Sequence, residues 1–96
     1  MDKKLEQELY SEVLETLISH LQKRNDVQNI DLMNLSGFCR NCLSKWYVEA
    51  AKKKNLPIDY EMAREKIYGM PYLDWKKKYQ TKATSDQLKK LKKNTI

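Results

Sequence analysis

Ninety-six residues with a net charge of +6, 33% of them charged, and only two glycines and two prolines describe one small domain with no room for a second core. Two cysteines are too few for a secreted disulfide scaffold, Met1-Asp2-Lys3-Lys4 opens no apolar leader, and no apolar stretch approaches the roughly 20 residues of a bilayer span. A membrane-spanning role is excluded, and a cytoplasmic protein with reduced thiols is expected.

Taken in chain order, residues from about Lys3 to Lys23 place Leu5, Leu9, Val13, Leu14, Leu17, Ile18 and Leu21 at three- and four-residue spacings, the apolar stripe of an amphipathic helix. His20, the single histidine, falls at the edge of that stripe. Arg24-Asn25-Asp26 ends the periodicity with turn-forming residues. A short helix is predicted from Asn29 or Asp31 to Gly37, where glycine either stops the helix with positive φ or admits a neighbouring helix. Phe38 to about Lys54 again carries a helical pattern, closed by Asn55-Leu56-Pro57. Asp59 is placed to cap the next helix, which runs through Tyr60, Ala63, Ile67 and Tyr68 to Gly69. Pro71 opens a last short helix holding Tyr72, Trp75 and Tyr79.

No period-two alternation long enough for a strand occurs, so the expected fold is all-α: a bundle of four or five helices over residues 1–80. Residues 81–96 carry five lysines and one acid, which leaves +4 of the +6 there. Ser85 could cap a weak helix, but an isolated helix of that length is marginal in water, so a basic, mobile tail is expected. A chain this short commonly supplements its core with a disulfide, a metal or self-association. Its aromatic set, Trp46, Tyr47, Tyr60, Tyr68, Tyr72, Trp75 and Tyr79, is assigned to the core and to the contact of a homodimer.

The residues able to carry chemistry concentrate between Gly37 and Tyr47. Cys39 and Cys42 stand three apart on a helix, which sets their Cβ atoms roughly 5–6 Å apart on one face. Two thiolates so placed can share one ion, and zinc is the expected one, with His20 as third ligand and Asp26, Asp31, a second subunit or solvent as fourth. Two other readings of the pair stay open: buried reduced thiols, and redox work favoured by the nearby helix N-terminus. Arg40, Asn41, Ser44 and Lys45 are assigned to the surface away from the thiols. A helix-turn-helix would read DNA with those same four side chains, but Met33 falls where that motif needs a small residue. No oxyanion-hole signature and no glycine-rich phosphate loop accompanies the thiols, so catalysis is not indicated.

Several of these strings together resemble a known family. His20-Leu21-Gln22, the run from Asp26 to Leu35, Gly37-Phe38-Cys39-Arg40-Asn41-Cys42-Leu43-Ser44-Lys45-Trp46-Tyr47, Tyr68-Gly69-Met70-Pro71-Tyr72 and Trp75-Lys76 are similar to the short proteobacterial family catalogued as domain of unknown function twelve-forty-four. The resemblance covers most of residues 16 to 80, with the first helix and the Lys-rich tail largely outside it. It implies a small, bacterial, cytoplasmic, all-helical protein with no established activity, and it implies that His20, Cys39 and Cys42 belong to one pattern. The expectations are therefore a non-enzymatic interaction or regulatory domain holding zinc through His20, Cys39 and Cys42. The alternatives are a nucleic-acid-binding protein that uses its basic tail and a thiol-based enzyme or redox protein.

Overall fold

The computed structural model describes residues 1–94, so Ile96, counted in the expected tail, lies outside the described residues. Six helices follow one another with no strand among the described residues: α1 Lys3–Lys23, α2 Asn29–Ser36, α3 Arg40–Lys53, α4 Tyr60–Tyr68, α5 Tyr72–Tyr79 and α6 Ser85–Asn94. The boundaries follow local chemistry. Asp2 caps α1 by accepting the amide of Lys4, and Asp59 caps α4 by accepting the amide of Met62. Gly37 and Gly69 end α2 and α4 in the left-handed region, at φ 80° and 75°.

α3 and α4 form the most extensive helix pair, with Ala51 and Ala63 buried and small enough to let the two backbones approach. α1 and α5 pack on α4. The core gathers Leu21, Leu43, Ile67, Tyr68 and Trp75, with Leu17, Ile18, Leu32, Phe38, Met70, Tyr72 and Tyr79 packed around it. Tyr68 meets Trp75 edge-on at 5.1 Å and Tyr72 at 5.4 Å between ring centroids, the arrangement that ring quadrupoles favour.

Three expectations change. The apolar stripe of α1 is only half covered: Leu17, Ile18 and Leu21 reach the core, whereas Leu5, Leu9, Val13 and Leu14 are exposed. α1 has 21 residues and is therefore about 32 Å long. Its free half projects from a molecule whose extents are 48 × 28 × 25 Å. The tail is the second change. Its helix, α6, packs on α2, where Asn34 Nδ2 donates to the Gln87 carbonyl and Gln87 Nε2 donates to Asp31 Oδ1. These bonds and the contact with α2 supply what propensity alone does not. Third, α3 begins at Arg40, because Cys39 is extended (φ −143°, ψ −176°) and takes the N-cap position. No helix among the described residues is long and apolar enough to cross a membrane.

Candidate functional site

The start of α3 joins the chain's thiols to its most deeply buried charge. Arg40 is only 1% exposed, and among the described residues it makes no ion pair. Its Nη1 donates to the Val27 carbonyl at 2.8 Å and to Asn29 Oδ1 at 3.0 Å, and its Nη2 donates to the Arg24 carbonyl at 2.8 Å. The guanidinium also lies over the Trp75 indole. Burial holds its pKa below the ordinary arginine value. Carbonyl dipoles and a ring face thus replace the carboxylate that usually accompanies a buried cation.

The neighbours of Arg40 continue the network. Tyr68 donates its hydroxyl to Asn41 Oδ1 at 2.7 Å and accepts from Asn29 Nδ2 at 2.9 Å, while burial pushes the phenol well above its ordinary range. Ser44 is fully buried and donates to the Arg40 carbonyl. Asn25 accepts from the Trp75 indole N–H, and Gln28 donates to the Tyr79 carbonyl while accepting from the Thr81 amide. The expected solvated face of Arg40, Asn41 and Ser44 is therefore mostly interior. Asn25 and Asn29 read from the sequence as turn and cap residues because Trp75 and Tyr68, which they meet here, lie 50 and 39 positions away. The burial also removes the reading set of the helix-turn-helix proposal, leaving Lys45 as its one exposed member.

Cys39 is buried and Cys42 half-buried, both as free thiols, with their sulfurs 3.9 Å apart. Burial pushes the Cys39 thiol up, against the opposing pull of the Asn41 and Cys42 amides at the helix start. A thiol held protonated is a poor nucleophile, which weighs against the thiol-enzyme reading.

His20 does not join this pair. It is exposed and lines a shallow depression with Glu12, Glu15, Thr16, Ser19 and Lys23, all from α1. Among the described residues no group of three or more His, Cys, Asp or Glu side chains could hold a metal ion. Adjacent helical residues are about 100° apart, so once Leu21 takes the core, His20 swings onto the polar flank. The structure thus brings together two of the three expected ligands.

A largely apolar groove of about 550 Å³ lies between α1, α3 and α4, lined by Leu14 and Ile18 of α1, Leu43, Trp46, Tyr47 and Ala50 of α3, and Ile67 of α4, with Ser11, Glu15 and Lys66 as its polar members. Trp46 is 53% exposed there, and its ring lies 6.2 Å from that of Phe38. Leu5, Leu9, Tyr10 and Val13 are also exposed along the first half of α1, where Leu9 and Val13 line a separate shallow depression with Glu12 and Thr16, and Val13 is 68% exposed. Sequence periodicity found this stripe but could not show that half of it lacks a cover.

In a comparison with known families, the model described as "Protein of unknown function (DUF1244)" matches residues 27–93. The match omits α1 and takes in most of the Lys-rich tail, which the resemblance had placed outside. No curated protein matches the chain.

Proposed function

The chain belongs to the DUF1244 family, and on that premise we propose that it is a non-enzymatic, cytoplasmic interaction domain that works as a homodimer. The single observation behind this reading is the exposed apolar surface of the first half of α1, where Leu5, Leu9, Val13 and Leu14 lack a cover and Leu14 also lines the groove beside Trp46. Monomeric proteins seldom leave an apolar patch of this extent in water.

A second copy suits the surface better than an unrelated protein, because the projecting row and the groove belong to the same chain. A two-fold exchange would fill both at once, which is the isologous arrangement of most homodimers. The free segment from Lys3 to Thr16 has the same 14-residue length as α3, about 21 Å in each case.

Sedimentation equilibrium across a concentration series tests the reading. The natural sequence should sediment as a dimer, and Leu9→Glu combined with Val13→Glu should sediment as a monomer with unchanged helicity, since neither side chain reaches the core. A natural sequence that stays monomeric at every concentration, or a double variant that remains dimeric, would remove the proposal.

A further inference from the structure

The thiols at the start of α3 touch each other, their sulfurs at hydrogen-bond distance. An ion with tetrahedral coordination and Zn–S bonds of about 2.3 Å separates two of its sulfur ligands by about 3.8 Å. Cys39 and Cys42 already hold theirs 3.9 Å apart. A disulfide would need them at about 2.05 Å. The observed spacing therefore fits the bite of a shared ion without a shift of either sulfur.

The rest of the site explains why that spacing holds. The two residues between the thiols are both anchored: Arg40 by three hydrogen bonds to Arg24, Val27 and Asn29, and Asn41 by the Tyr68 hydroxyl. The Cys39 carbonyl accepts the Leu43 amide and Ser44 closes on the Arg40 carbonyl, so the backbone carrying both sulfurs is fixed on either side. Only the two thiol rotors remain free, which makes the pair a preorganised chelate. Cys42, at half burial, gives the pair an opening to solvent.

We propose that Cys39 and Cys42 together bind a thiophilic divalent cation of the zinc class, with no part played by His20. Two sulfur ligands exclude magnesium and calcium, which take oxygen. Two thiolates leave coordination positions for water or for ligands carried by the cation. The site differs from the one expected from sequence by a single residue, because His20 stands among the carboxylates of α1.

Cobalt(II) is the probe, added alone to the reduced full-length protein, because thiolate ligation gives it an intense near-ultraviolet charge-transfer band. The natural sequence should develop that band to saturation, and zinc should displace it. Cys39→Ser and Cys42→Ser should each lower the cobalt affinity at least tenfold, while His20→Ala should leave it within about twofold. Thermal melts of the metal-free variants identify a cysteine variant that has lost its fold; Cys42→Ala, at the less buried position, then carries the comparison. Absence of the band in the folded natural protein, or its survival in both cysteine variants, overturns the proposal. Loss of the band in a folded His20→Ala variant overturns the two-thiolate site in favour of the three-ligand one.

Discussion

The guanidinium of Arg40 lies over the indole of Trp75, 5.0 Å from the ring centroid, with both side chains withdrawn from solvent. This contact joins α3 to α5, and the three hydrogen bonds of Arg40 join both to the loop between α1 and α2. One side chain thus ties three parts of the chain that share no continuous backbone. The Arg-Asn pair between the cysteines belongs to the interior, and the thiols take their positions from it.

Replacing Arg40 by lysine should cost about 2–4 kcal/mol, because a single ammonium cannot reach three acceptors spread over the Arg24 and Val27 carbonyls and the Asn29 amide. A methionine should cost at least as much, since the acceptors stay buried without donors. Urea denaturation at neutral pH measures both. A loss below about 1 kcal/mol for either variant would show that the network tolerates an open acceptor better than these bonds imply.

Tyr68 gives the same network a pH dependence. Burial raises its pKa above the unfolded value of about 10, so the neutral phenol is the form the fold stabilises. That stabilisation is complete below about pH 10 and is lost as the pH rises beyond it toward the folded-state value. Tyr68→Phe should cost about 1–3 kcal/mol at pH 7, where the bonds to Asn29 and Asn41 are lost. The same variant should also lose stability less steeply above about pH 10. Because burial raises Tyr60 as well, the alkaline slope should be reduced rather than removed. Equal slopes for the variant and the natural sequence would place the titrating group elsewhere.

Much of this was legible in the residues, and the parts that were not have physical causes. Helix limits followed from Asp59, Gly37, Gly69 and Pro57, whose effects are local. Arg40 and Ser44 read as surface because polarity normally marks exposure, and the carbonyls that satisfy Arg40 belong to a loop up to 16 residues earlier. His20 precedes Leu21 by one residue, about 100° around the helix, which separates the polar flank from the stripe that enters the core. The free half of α1 was invisible for the opposite reason: Leu5 and Leu21 carry the same apolar signal, but only Leu21 has a neighbour in the fold to cover it.

The docking of α6 on α2 includes a side-chain bond that one substitution removes. Gln87 donates to Asp31 Oδ1 and accepts from the Thr84 amide, so Gln87→Ala removes both a tertiary bond and part of the helix start. Amide hydrogen exchange over residues 85–92 should quicken several-fold while the protection of α3 and α4 stays unchanged, because no core side chain comes from α6. Global denaturation should shift by no more than about 1 kcal/mol. Unchanged exchange in α6 would mean that its packing on α2, and not Gln87, holds it.

The two glycines offer a comparison that separates backbone strain from crowding. Both have φ near 80°, so alanine at either position meets the same left-handed penalty of roughly 1–2 kcal/mol. A Cβ on Gly37 would meet nothing within 4 Å, whereas one on Gly69 would come within 2.9 Å of the Gln22 side-chain amide. Gln22 can move aside, but its Nε2 then releases the Lys66 and Ile67 carbonyls at the end of α4. Gly69→Ala should therefore cost about 1 kcal/mol or more beyond Gly37→Ala. In a Gln22→Ala background, where those two bonds are already absent and the space is open, Gly69→Ala should fall to the level of Gly37→Ala. A double-mutant cycle by urea denaturation reads the coupling between Gln22 and Gly69 directly. A cycle that closes with no coupling would mean that Gln22 neither caps α4 nor crowds the glycine in solution.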